Sequence, residues 1–150
     1  MNKLNFSISI HAPKEKVWNI MLDQNSYRAW TEVFAPGSHY VGNWEKGSKI
    51  LFLAPNESGQ MGGMVSKIRE IRRYEYLSIE HCGIVHEGKE DTSSDEVKAW
   101  AGALENYTFK ESKGETELFV EMDSAEEFWD MFKNIWPVAL QKLKELAEEK

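Results

Sequence analysis

The chain has 150 residues and a formal net charge of −7, with 18 Lys and Arg against 25 Asp and Glu. The acidic residues are spread along its length, and no basic stripe of the kind that nucleic-acid phosphates or anionic lipid surfaces require is visible, which argues against both as partners. Cys82 is the one cysteine, so an intrachain disulfide is excluded; no apolar run reaches membrane-span length and no leader-like core opens the sequence, so a single cytoplasmic domain over residues 1–150 is expected.

Leu4, Phe6, Ile8 and Ile10 alternate with polar residues, the period-two pattern of a half-buried strand. Pro13 predicts a helix over residues 13–22, because proline's preset φ and missing N–H suit the first helical position. A second short helix is expected over residues 26–30, before a turn at Pro36-Gly37. Residues 38–43 and 48–54 are candidate strands around a turn at 44–47. Residues 61–72 read as a longer strand, bulged because the apolar phase shifts between Val65 and Ile68; Gly62-Gly63 within it would permit a bend or close packing. Residues 76–85 follow, with Leu77 and Ile79 in phase. Residues 87–98 are polar and charged and read as a long loop or short surface helix, either a solvated insertion or a lid. Residues 104–110 and 116–122 form a last hairpin around Lys113-Gly114.

The remainder, residues 124–150, has the three-and-four spacing of one amphipathic helix. Ser124 and Glu127 have capping-box spacing at its expected start. Phe128, Met131, Phe132 and Trp136 occupy the first half of its stripe, with Trp129 beside it, whereas leucine and alanine occupy the second half. Pro137 removes one hydrogen bond between the halves and is expected to kink or restart the helix. Strands joined by hairpins argue for an antiparallel sheet. A sheet curved around a helix that packs only through its far end would leave a cavity.

The stretch Ile10-His11-Ala12-Pro13-Lys14-Glu15-Lys16-Val17-Trp18, followed by Tyr27 and Trp30, resembles the opening of the START-like, or SRPBCC, superfamily. Gly47 before a strand, Gly63-Met64-Val65-Ser66-Lys67-Ile68 in mid-sheet and the terminal Trp136-Pro137-Val138-Ala139-Leu140-Gln141-Lys142-Leu143-Lys144 follow in the same order. The last element most resembles the branch named for the activator of the heat-shock chaperone ATPase. The resemblance covers essentially the whole chain. It implies an α+β helix-grip fold: a curved antiparallel sheet of about seven strands wrapped around a long C-terminal helix, two short helices after the first strand, and a hydrophobic pocket between sheet and helix. The superfamily includes lipid carriers, pollen-allergen-like binders, and polyketide cyclases and aromatases, so the fold alone does not choose a function.

Trp30, Phe34, Trp44, Phe52, Phe128, Met131, Phe132, Ile135 and Trp136 are the expected pocket wall, although an ordinary core uses the same residue types. His81 shares a strand face with Leu77 and Ile79, where an imidazole could orient a ligand or act as acid or base. On the next strand either Glu105, Tyr107 and Phe109 face inward or Leu104, Asn106 and Thr108 do; the first set is favoured, and an inward Glu105 would need a partner such as His81 or Arg69. No metal-ligand spacing, no phosphate-binding glycine loop and no base beside Cys82 are present, so no cofactor is expected. The partner expected is a small hydrophobic molecule, oriented by His81 and Tyr107. Two other classes remain open: a cyclase- or aromatase-like enzyme, which needs ionisable groups in the pocket, and a chaperone-associated stress-response module, which would show a closed interior and an exposed patch around Trp100 and Trp129.

Overall fold

The structure is a computed structural model and describes residues 2–149. Among these, eight strands form one antiparallel sheet. They are β1 (Asn2–Ile10), β2 (His39–Gly42), β3 (Lys49–Pro55), β4 (Met61–Arg72), β5 (Tyr76–His86), β6 (Lys89–Asp91), β7 (Ala103–Ser112) and β8 (Glu115–Ser124). The spatial order is β1-β8-β7-β5-β4-β3-β2, with the short β6 paired to β5 beside that path. Helices α1 (Lys14–Leu22) and α2 (Gln24–Thr31) follow the first strand, α3 (Asp95–Lys98) precedes β7, and α4 (Trp129–Glu148) closes the chain. This is the expected α+β helix-grip architecture.

The sheet is bent by two irregularities that also choose which residues face the core. Ser66 pairs with His81 and Val65 with Gly83, so Cys82 is an extra residue in β5. Ile68 pairs with Ile79 and Glu70 with Ser78, so Arg69 is an extra residue in β4. The pairing thus shifts between Val65 and Ser66, inside the expected interval but with the extra residue on β5, and the bulge on β4 itself follows Ile68 and moves the inward face from Met64, Ser66 and Ile68 to Ile71. Gly63 has φ 147° and a side chain there would meet the Phe52 carbonyl at 1.9 Å, so the glycine lets β3 and β4 approach closely.

The long helix departs from the expectation at its start. β8 continues to Ser124, a single 3-10 turn covers Glu126–Phe128, and regular helix begins at Trp129. No capping box forms: Ser124 is buried and its hydroxyl donates to the Ala125 carbonyl. The helix is continuous through Pro137, which lies on its exposed side, and the last expected helical residue, Lys150, lies outside the described residues. Trp129 is half-buried, its indole N–H donating to the Ser124 carbonyl at 3.2 Å. Pro13 stands at the N-cap of α1, one position before the expected place, and the Lys14 amide donates to Glu111 Oε1 at 2.7 Å. Residues 87–98 contain the short helix α3, one of the two alternatives expected, and also the short strand β6, with the Ser94 hydroxyl capping α3 and Val97 fully buried.

The two halves of α4 pack differently. Its buried residues are Trp136, Ala139, Leu140, Leu143 and Ala147, all from the middle onward. The small Ala139 and Ala147 let the helix lie close against its neighbours. Lys144 Nζ donates to the Ser9 carbonyl at 2.8 Å, and Glu148 accepts from the His11 amide at 2.8 Å, tying this end to the end of β1. Phe128 and Met131, at the other end, are 47% and 46% exposed. Leu143→Ala should therefore lower unfolding free energy by about 2–5 kcal/mol in denaturant titrations, whereas Val138→Ala at an exposed site should stay within about 0.5 kcal/mol of the unaltered protein.

Candidate functional site

Where α4 stands off the sheet, a cavity of ≈ 790 Å³ remains. That falls within the range of about 300–1,000 Å³ usual for small-molecule sites. α2 and the segment after it contribute Tyr27, Trp30, Thr31 and Phe34; the sheet contributes Phe52, Met64, Leu77, Ile79 and Met122; α4 contributes Met131, Phe132 and Trp136. Exposed Asn56, Glu127, Phe128 and Met131 mark the rim.

The expected wall residues meet here with one exception. Trp30, Phe34, Trp44, Phe52, Phe128, Met131, Phe132 and Trp136 all border the cavity, as do His81 and Tyr107. Ile135 does not; it is half-buried and lies one turn beyond Met131, toward the half of α4 that packs closely. Trp100 also lines the cavity and, like Trp129, is half-buried. Tyr27 was not singled out from sequence as a wall residue; its spacing of three from Trp30 was the available signal.

The aromatic rings form a continuous chain. Trp136 stacks on Phe6 with centroids 5.8 Å apart, and meets Phe34 at 5.0 Å and Trp30 at 6.3 Å. On the far wall Tyr40 meets Tyr27 and Trp44, each at 5.0 Å, and Phe52 reaches His81 at 6.3 Å. Rings at these separations gain edge and offset contacts beyond area burial.

One polar cluster interrupts this lining. Glu105 and Tyr107 face inward together on β7, and the pairing of β5 with β7 sets Glu105 against Ile79, one inward residue from His81. His81 Nε2 lies 3.1 Å from Glu105 Oε1, and Tyr107 donates its hydroxyl proton to Glu105 Oε2. A carboxylate only accepts, so Nε2 carries the proton in this contact. The other ring nitrogen, Nδ1, lies 2.7 Å from Ser66 Oγ. Ser66 is buried behind His81 and does not border the cavity, so it orients the imidazole. The His81 and Glu105 side chains are only 14% and 19% exposed. Burial alone would raise the Glu105 carboxyl, but its hydrogen bond and charge interaction with His81, with help from Tyr107, outweigh that and hold it below the ordinary carboxylate value. Burial and the neighbouring Glu105 keep Tyr107 a neutral phenol, its pKa far above the ordinary tyrosine value. Arg69, the other partner considered for Glu105, points to the outer face, where its Nε donates to Ser78 at 3.0 Å.

The other titratable groups contribute little chemistry. Burial pushes the Cys82 thiol up, away from thiolate character. Among the described residues no three His, Cys, Asp or Glu side chains converge as a metal site, and no helix is long and apolar enough to cross a membrane.

A family model described as Activator of Hsp90 ATPase homolog 1-like protein matches residues 11–148. The chain belongs to this family. Its AHSA-like, START-like fold recurs in ChR145 from Cytophaga hutchinsonii, with TM-score 0.72 and 19% identity over 99% of this chain and 94% of that one. It recurs in the Aha1 dimer from Colwellia psychrerythraea, with TM-score 0.71 and 16% identity over 99% and 97%. CalU16 from Micromonospora echinospora has TM-score 0.67 and 18% identity over 97% of this chain and 74% of that one. No curated protein matches the chain. At these identities the solved structures share the fold only.

The Glu105 pair gives the site a pH signature. Because its folded pKa is depressed, Glu105 contributes stability that is fully present above its ordinary value of 4.5 and is lost as pH falls through the folded value. Urea unfolding followed from about pH 6 to about pH 3 should show a steeper loss in the unaltered protein than in Glu105→Gln. Equal slopes would mean that the pair does not hold Glu105 ionised.

Proposed function

We propose that this domain binds a small hydrophobic molecule non-covalently in the cavity between its sheet and α4. The observation that carries this reading is the cavity of ≈ 790 Å³, bounded mostly by aromatic and aliphatic side chains and reachable from the rim at Phe128 and Met131. Apolar burial would drive binding at roughly 25 cal/mol per Å² removed from water, partly offset by the cost of ordering ligand and rim. Trp30, Phe34, Trp44, Phe52, Phe128, Met131, Phe132 and Trp136 would form the wall, and His81 and Tyr107 would take part in orientation. A neutral apolar fluorescent probe should be taken up with saturable binding. Phe132→Ala, which removes a half-buried wall ring while leaving the packed far end of α4 intact, should weaken that binding by about tenfold. Val138→Ala should leave it unchanged. A folded protein that takes up no probe would end the carrier reading.

The His81–Glu105 pair favours a second reading, acid–base catalysis on a bound hydrophobic substrate. An imidazole and a carboxylate 3.1 Å apart inside a cavity are the convergent ionisable groups such chemistry needs. Similar folds occur in biosynthetic settings, DynU16 being a protein from the dynemicin biosynthetic locus. Small molecules extracted from protein purified from its own host separate the two readings. A carrier yields the same mass from the unaltered protein and from His81→Asn; an enzyme yields product from the first and retained, unconverted substrate from the second.

A further inference from the structure

The hydrogen-bonding balance of the cavity floor points to the polar chemistry of the ligand. His81 has used both ring nitrogens, Nε2 on Glu105 and Nδ1 on Ser66. Tyr107 has given its only hydroxyl proton to Glu105. The Thr31 hydroxyl is committed to the Tyr27 carbonyl at 2.6 Å. Beside the Tyr27 hydroxyl, which can donate as well as accept, what remains on this floor is acceptor capacity: a carboxylate offers about four lone-pair sites, and only two contacts to Glu105 are filled from within the chain. The indole N–H groups of Trp44 and Trp136 have no partner, but they are sealed beneath neighbouring atoms and do not reach the cavity surface. Tyr27, close enough to Glu105 to feel its charge, supplies a phenol on the same side.

The charges agree with this balance. Among the described residues that line the cavity there is no lysine or arginine, while Glu105, Asp123 and Glu127 are present. Asp123 is neutralised by Lys3 at 2.9 Å and by the Leu104 amide at 2.9 Å, Glu127 sits exposed at the rim, and Glu105 lies inside. A carboxylate- or phosphate-headed lipid would meet an anion and find no cation.

We infer that the preferred ligand is a hydrophobic molecule presenting a hydrogen-bond donor, a hydroxyl or an amine, to Glu105, and that anionic lipids are rejected. The apolar body would lie against Phe34, Phe52, Met64 and Phe132, with the donor on the free lone pairs of Glu105. This inference rests on the hydrophobic-ligand reading above and gives it a substrate class.

The test is a matched series on one hydrocarbon: naphthalene, 2-naphthol, 2-methoxynaphthalene, 2-naphthylmethylamine and 2-naphthoate, titrated into the full chain by tryptophan fluorescence quenching at neutral pH. The naphthol and the amine should bind about tenfold or more tighter than the methoxy ether, which keeps the body and lacks the donor, and tighter still than the naphthoate. In Glu105→Gln, checked for folding by circular dichroism, the gap between naphthol and naphthoate should shrink. The series on the unaltered protein decides the matter even if that variant does not fold. If all five bind alike, or if naphthoate binds best, the donor assignment is overturned while the cavity reading stands. If none binds, naphthalene included, the cavity reading fails and this inference fails with it.

Discussion

Trp136 sets the distance between helix and sheet. The residue is only 4% exposed, and its ring is stacked on Phe6 of β1 and flanked by Trp30, Phe34 and Tyr107. Beyond it α4 presents Ala139, Leu140, Leu143 and Ala147, whose small or slender side chains let the helix settle against β1 and α1, and the Lys144 and Glu148 contacts to Ser9 and His11 hold that end down. Before it the helix carries Phe132 and Met131, preceded by Phe128 of the 3-10 turn, and has no close-packed small residues. A rigid helix anchored at one end with a large ring under its middle must diverge from the sheet at the other end. The cavity is that divergence.

An acid inside such a space is costly, and its neighbours show how the cost is met. Glu105 would lose several kcal/mol on leaving water without partners. It keeps its charge because His81 and Tyr107 bond both of its oxygens and because Ser66 fixes the imidazole from behind. The extra residue Cys82 follows His81 directly, so β5 changes its inward phase just after the histidine has been delivered to the cavity. Sheet curvature and the polar cluster thus share one local cause.

Much of this was legible in the chain. Period-two alternation located β1 and the final hairpin, and the bounds of β4 were met at Met61–Arg72, because apolar phase and glycine turns are local signals. For β7 the residues leave two faces open, and the favoured one, with Glu105, Tyr107 and Phe109, is the one that looks inward. Local signals misled where a partner from elsewhere took over. Ser124 and Glu127 have capping spacing, yet Ser124 remains in β8 paired with Asn2 of β1, and helix formation waits until Trp129. The polar stretch after Glu87 reads as a loop or short surface helix, and α3 is that helix, but β6 finds the open end of β5 and Val97 finds a buried seat.

The sequence by itself determined the element order, the aromatic character of the space and the candidate residues His81 and Tyr107, since each depends on residue type and on spacing within a few positions. Only the tertiary structure decided that Glu105 meets His81 and that Ile135 is left outside. The first requires β5 to lie beside β7, although β6 and α3 separate them along the chain. The second depends on how far along α4 the cavity extends before the close packing that begins at Trp136. Strand neighbours and the reach of a cavity along a helix are set by packing between distant segments, and no spacing along the chain encodes them.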